Sequence, residues 1–252
     1  MARAALTITL VVALVYLVPC ALLYFFQRSL IYFPQPRSPV AGTTTTTLRM
    51  GDADVLVTTR AASGAKALIY FGGNAEDTSL SFPGLAAAYP DRAIYLMHYR
   101  GYGGSGGKPS ERALVADAVA LFDKVRAQHD DIFVVGRSLG SGVAVQLVSL
   151  RPVARLILVT PYDSILELAI RQFPYFPVRW LLQDRFESSK YAERIAVPTL
   201  VIAAEHDEVI PRSSTDALLA RFPRGVATVR VIAGTGHNTI SDSPEYVPAL
   251  RS

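Results

Sequence analysis

Apolar positions along the chain fall into three regimes. From Ala4 to Phe26 no residue is charged, and the run from Leu6 to Leu17 continues through Leu22, Leu23, Tyr24, Phe25 and Phe26. At about 1.5 Å per residue it crosses a hydrocarbon core of ~30 Å, so residues 1–28 are expected to form a single membrane-spanning anchor. Residues 29–47 hold Pro34, Pro36, Pro39, Gly42 and five consecutive threonines, Thr43 to Thr47, and read as a linker and lead-in. From residue 48 to 252 short apolar runs alternate with longer amphipathic ones. Strands are expected at Val55–Thr59, Ala67–Phe71, Ala93–Met97, Ile132–Val135, Leu156–Val159, Thr199–Ala203 and Thr228–Ile232. Between them, helical spacing covers Leu80–Tyr89, Glu111–Gln128 and Ser214–Phe222, and Val143–Val148 is suited to helix. Near-continuous apolar strands separated by helices predict an α/β fold, a mostly parallel sheet covered on both faces. No internal repeat is visible. One interruption stands out. Residues 161–197 mix aromatics with prolines and form a lid-like insertion whose Phe173, Tyr175, Phe176 and Trp180 are expected to line an acyl pocket.

Composition narrows the partners. The net charge of +4 comes from 21 Arg and 4 Lys against 21 acidic residues, scattered without a basic block, so nucleic-acid binding gets no support. Cys20, the single cysteine, lies inside the apolar run and excludes an intramolecular disulfide. A cleaved signal peptide wants a shorter apolar core and a small-x-small site, and a buried core helix wants a polar stripe; neither is present. Arg3 precedes the span while Arg28, Arg37 and Arg49 follow it, a count that leans towards a cytoplasmic domain but leaves the membrane side open.

The chemistry centres on Gly136-Arg137-Ser138-Leu139-Gly140, a G-x-S-x-G turn that leaves an apolar strand and enters a helix. This is the context of a nucleophile elbow, where a side chain at either glycine would strike a neighbouring element. A serine hydroxyl needs a base, and the base an orienting acid. His237, straight after the last strand, is the expected base. His98, His129 and His206 rank below it, with His129 read as a solvated surface residue. Asp207, after the preceding strand, is the expected acid, with Glu205 and Asp163 as rivals. Oxyanion donors are expected from the backbone N–H groups of Leu139, at a helix start, and Asn74, in Phe71-Gly72-Gly73-Asn74.

Together Phe71-Gly72-Gly73-Asn74-Ala75-Glu76, Tyr99-Arg100-Gly101-Tyr102-Gly103, the elbow, His206-Asp207 and Gly236-His237 resemble the α/β-hydrolase superfamily. Within it they are similar to membrane-anchored ABHD-type serine hydrolases, whose oxyanion turn reads H-G-N-A; here Gly72 stands where that histidine is usual. The likeness runs from Phe25 to His237. It implies an α/β-hydrolase fold and hydrolysis of lipid esters, acyl-thioesters or other esters, without naming the substrate. A small-molecule or lipid-like acyl ester and the bilayer are the expected partners.

Other chemistries fit less well. Gly101-Tyr102-Gly103-Gly104-Ser105-Gly106 matches a dinucleotide fingerprint, but Pro109 and Ser110 delay the helix and no acidic residue ends a following strand. No metal-ligand spacing is evident, and no cofactor is expected. Two functional rivals remain: a membrane-tethered binding or scaffold protein on a hydrolase fold, and a serine peptidase of the prolyl-oligopeptidase type.

Overall fold

The computed structural model describes residues 1–252. Helix α1 (Ala2–Ile31) is followed by strands β1 (Thr44–Met50), β2 (Ala53–Arg60) and β3 (Lys66–Phe71), helix α2 (Phe82–Ala88), and strand β4 (Ala93–Met97). Then come α3 (Glu111–Arg126), β5 (Asp131–Arg137), α4 (Leu139–Leu150) and β6 (Arg155–Val159). Three short helices fill the insertion: α5 (Ile165–Gln172), α6 (Val178–Leu181) and α7 (Ser188–Ala192). Strand β7 (Thr199–Ala204), α8 (Arg212–Leu219), β8 (Ala227–Ile232) and α9 (Tyr246–Arg251) complete the chain.

The eight strands form one sheet in the order β1-β2-β4-β3-β5-β6-β7-β8. β1–β2 and β2–β4 pair antiparallel, and every other pair is parallel. The central strands are buried on both faces, as their unbroken apolar runs demand. One face packs on Leu114, Leu121 and Phe122 of α3, Val143 and Leu147 of α4, Ala192 of α7 and Leu218 of α8. The other face packs on Phe82 and Leu85 of α2 and Ala249 and Leu250 of α9.

Local chemistry sets the element ends. Ser110 caps α3 by accepting from the Ala113 N–H, an interaction worth ~1 kcal/mol. The same helix buries Asp117 among its apolar residues, where it takes a two-pronged ion pair from Arg100 at 2.8 Å on both oxygens. That pair fixes the start of the Gly-rich stretch after β4, so the dinucleotide-like motif is a packed connection.

The threonine run differs from expectation. Thr44–Thr47 belong to β1, the edge strand, rather than to a linker. Only Leu48 of that strand is buried, so no hydrophobic alternation marked it. β-branched threonines suit a solvated edge all the same.

Helix α1 is long and apolar enough to cross a membrane. Its residues 2–18 are exposed, and its C-terminal part packs on the domain through Cys20 and Gln27. Arg28 pairs with Asp184 at 2.9 Å, and Tyr32 donates to the same carboxylate at 3.1 Å.

Candidate active site

Four strand ends converge at the carboxyl edge of the parallel sheet, where sites in such folds gather. β5 ends into Ser138, β3 into Gly72 and Gly73, β7 runs on to Asp207, and β8 to His237.

Ser138 holds φ 48° and ψ −118°, a region that L-residues avoid. The turn is forced by close packing. A Cβ at Gly136 would lie 2.4 Å from the Gly140 carbonyl oxygen, and one at Gly140 2.1 Å from that of Phe71. The strain aims the serine side chain out of the sheet and starts α4 immediately after it.

The structure brings Ser138, Asp207 and His237 together. His237 Nε2 lies 2.9 Å from Ser138 Oγ, and its Nδ1 lies 2.9 and 3.0 Å from the two Asp207 oxygens. Asp207 accepts from the Val209 and Ile210 N–H groups at 3.0 and 2.7 Å, which fixes its carboxylate. Both side chains are more than nine-tenths buried. An imidazole held this way, with Nδ1–H on a carboxylate, presents Nε2 to the hydroxyl as a proton acceptor.

The expected oxyanion donors border the same cleft, a cavity of about 820 Å³ lined by Asn74, Ser138, Leu139 and His237. The Asn74 N–H has no hydrogen-bond partner within the chain, and its carbonyl is held by the Phe33 N–H and the Tyr102 hydroxyl. Leu139 opens α4, where first-turn N–H groups have no intrahelical acceptor. Gly73 comes so near that a Cβ there would stand 3.7 Å from Ser138 Cβ. Gly72 in place of histidine also has a local cause. A Cβ at that position would meet Thr78 Cγ2 at 2.4 Å.

The rivals are engaged elsewhere. Asp163 takes the Ser214 hydroxyl at 2.5 Å, and Glu205 takes the Gly234 N–H at 2.8 Å. His206 is exposed. His98 is buried between the Thr58 and Thr78 hydroxyls at 2.8 and 3.1 Å; burial pushes its pKa down to about 4 and keeps it neutral. His129 is buried, not solvated. It bonds the Tyr95 hydroxyl of β4 and the Gly64 carbonyl before β3, because the turn after α3 folds back on the sheet.

The aromatic lid needs a larger correction. Phe173 does line a cavity, but Tyr175 and Trp180 are 85% and 84% exposed, and Phe176 stacks on Tyr16 of α1 at 6.2 Å. Pro174 and Pro177 break the insertion between α5 and α6, and of the four rings Phe176 is the one that stacks on the N-terminal helix, while the Tyr175 carbonyl accepts from Tyr16.

Sequence reasoning gave no role to Glu76, Arg137 and Glu208. The Glu76 carboxylate accepts from the Tyr70 and Ser81 hydroxyls, each at 2.6 Å, from the Gly73 N–H at 2.7 Å, and from Arg137 at 3.2 Å. Burial holds the Tyr70 phenol well above its ordinary pKa, so it stays a donor. Arg137 also reaches the His237 carbonyl at 3.3 Å. Glu208 accepts the His237 N–H at 2.9 Å, a bond that holds its carboxyl below the usual range. No three His, Cys, Asp or Glu side chains are grouped to hold a metal ion.

A family model described as serine aminopeptidase, S33, matches residues 84–191. The uncharacterized protein Rv2307c of Mycobacterium tuberculosis is 34% identical over 249 residues, covering 90% of this chain and 87% of that protein. The mouse alpha/beta hydrolase domain-containing protein 17C is 35% identical over 162 residues, 63% of this chain and 49% of that protein, so the match spans about half of the relative. Among solved structures, the Pyrococcus furiosus esterase Pf2001 aligns with a TM-score of 0.69 at 16% identity over 88% of this chain and 97% of that one. The thioesterase domain from the curacin biosynthetic pathway aligns with a TM-score of 0.61 at 15% identity over 83% and 98%. These two likenesses are of fold. With one relative matched over most of both chains, another named for an alpha/beta hydrolase domain at 35% identity, and the hydrolase family model over residues 84–191, this chain belongs to the α/β-hydrolase superfamily.

Proposed function

We propose that this protein is a membrane-anchored serine hydrolase that cleaves carboxylic ester or thioester bonds of acyl, lipid-like substrates. Superfamily membership supports hydrolysis in general. The observation that carries the finer reading is the 2.9 Å approach of His237 Nε2 to Ser138 Oγ, with Asp207 on the opposite ring nitrogen.

In this mechanism His237 takes the Ser138 proton as Oγ attacks the carbonyl carbon. The carbonyl π-electrons move onto oxygen, and the Asn74 and Leu139 N–H groups receive that oxyanion. Collapse breaks the bond to the leaving oxygen or sulfur, which takes the proton back from His237. Water then loses a proton to His237 and attacks the acyl-Ser138 ester, releasing the acid and restoring the hydroxyl. Asp207 stabilises the imidazolium in both halves. The exposed apolar half of α1 supports attachment to a bilayer, with the cleft placed close to it.

A peptidase is the second reading, favoured by the serine aminopeptidase model over residues 84–191. Both share the acyl-enzyme and differ in the leaving group.

Fluorophosphonate labelling of detergent-solubilised protein tests the central claim. Wild type is expected to label at Ser138. Ser138→Ala abolishes labelling, and Asp207→Asn and His237→Ala slow it on the order of 10³-fold. A folded wild type that never labels sinks the hydrolase reading and moves the weight to a binding protein. Turnover of aminoacyl nitroanilides in preference to acyl esters selects the peptidase.

A further inference from the structure

The cleft at Ser138 does not end at the serine. A second cavity of about 450 Å³ lies between α1 and the α5–α6 part of the insertion, and 12 of its 16 lining residues are hydrophobic. The two cavities share Leu30, Ile31, Ile165, Leu168, Val209 and Ile210, so they meet side by side at the C-terminal end of α1.

The seam is built rather than incidental. The residues of α1 that face it follow helical spacing: Tyr16 stacks on Phe176, Cys20 is buried, Leu23 lines the cavity, Gln27 is buried and Leu30 and Ile31 reach the cleft. Gln27 is the buried polar residue on this face, and its amide is fully engaged. Its Nε2 donates to the Tyr24 and Leu181 carbonyls at 2.8 and 3.0 Å, and its Oε1 accepts from the Gln183 N–H at 2.6 Å. With the Arg28–Asp184 pair beside it, the helix and insertion are held at a fixed separation, leaving an apolar slot between them. A preformed slot of this volume, with a mainly apolar lining, has the size and character of small-molecule sites.

We infer that the slot between α1 and α5–α6 is an acyl-chain site, so that the N-terminal helix is itself one wall of the substrate pocket. The inference rests on the esterase reading for the position of the carbonyl. An ester carbonyl at Ser138 places its acyl chain along the shared wall of Ile165, Leu168 and Ile31 and on into the slot. Because one wall of the slot is α1, whose preceding residues are exposed and apolar, the slot stands next to hydrocarbon when α1 is in a bilayer. An acyl chain then passes from lipid to the serine without crossing water. Phe173 belongs to this slot, whereas Tyr175 and Trp180 lie outside it, exposed on the surface of the insertion.

The test uses the full chain in detergent and two readouts. The first is the ratio of kcat/KM for p-nitrophenyl palmitate to that for p-nitrophenyl butyrate. Leu23→Trp on α1 and Ala169→Phe on α5 each fill the slot, and each is expected to lower the ratio tenfold or more, since every buried methylene removed weakens long-chain binding. Leu22→Trp, on an exposed face of α1, leaves the ratio as in wild type. Far-UV circular dichroism and a thermal melt in detergent show that each variant is folded. The second readout is photo-crosslinking of a diazirine-bearing palmitate, expected on Leu168, Ala169 or Gln172 and lost in Leu23→Trp. Unchanged ratios in both slot variants, with no crosslink on α5, overturn the inference. A wild type that hydrolyses neither ester but crosslinks on α5 in a Leu23→Trp-sensitive way upholds the chain site while the esterase reading fails. Absence of both esterase activity and that crosslink removes both.

Discussion

Arg137 Nη1 lies 3.2 Å from Glu76 Oε2, and this ion pair joins the residue before the candidate nucleophile to the turn that carries the candidate oxyanion donor. The two are 61 residues apart in sequence, and their side chains are only 14% and 10% exposed. Glu76 grips Gly73 on one side, and Arg137 grips the His237 carbonyl on the other. Three strand ends are thus held in register by one pair of charges. Neither residue touches the hydroxyl, so both act as positioning residues.

Removing one partner strands the other charge where water reaches it poorly. Glu76→Leu or Arg137→Met is expected to cost about 3 kcal/mol, roughly 10 °C in Tm, and to slow fluorophosphonate labelling. The double variant recovers part of the stability, because no charge is left unpaired, but not the labelling rate. Thermal melts in detergent beside labelling time courses check this; additive losses in the double variant would refute it.

Gly72 makes a second cycle. Gly72→Ala drives a methyl to 2.4 Å from Thr78 Cγ2 and is expected to lose 1–3 kcal/mol, about what overpacking costs. Thr78→Ser removes that methyl and keeps the hydroxyl that bonds His98. The Gly72→Ala/Thr78→Ser pair should therefore be more stable than Gly72→Ala alone. If Thr78→Ser gives no relief, the glycine is held by the nearby Glu76 carboxylate instead.

His98 sets an acid limit. Its folded pKa, about 4, lies below the ordinary 6.5, so the folded state excludes a proton that the unfolded chain binds. Stability from this residue is complete above pH 6.5 and falls as pH drops towards 4, by about 3 kcal/mol in all. His98→Gln retains a partner for Thr58 and lacks the titration. The drop in Tm between pH 7 and pH 4.5 should be smaller in the variant than in wild type; equal drops would assign the acid loss to other groups.

Much of this site was legible because its parts are local in sequence. Ser138 sits in a five-residue steric pattern, and Asp207 and His237 each follow an apolar strand, so chain order alone brought them to one edge of the sheet. The Glu76–Arg137 pair was not legible. Arg137 fills a position of the elbow that tolerates many residues, and only the fold turns it towards a carboxylate from another strand end. The edge strand β1 was hidden by its exposure, for seven residues with one buried leucine carry no period. His129 was misread because a polar helix end usually meets water. The lid rings were misplaced for a related reason. Hydrophobicity says that Tyr175 and Trp180 avoid water, but not whether protein or lipid will cover them.

Fixing the helix to the insertion has a practical consequence for making a water-soluble form. Trimming such a protein at the end of its greasy leader is the habitual choice, and here it would cut into the working unit. A chain beginning at Tyr32 loses Arg28, leaving the buried Asp184 carboxylate with only the Tyr32 hydroxyl. It loses Gln27 as well, which frees the Gln183 N–H and the Leu181 carbonyl. The insertion then has no floor at the seam, and the cleft gapes where Leu30 and Ile31 had closed it. A shortened form that keeps the leader from Pro19 onward preserves every one of these contacts and gives up the Tyr16 contacts with Phe176 and Tyr175.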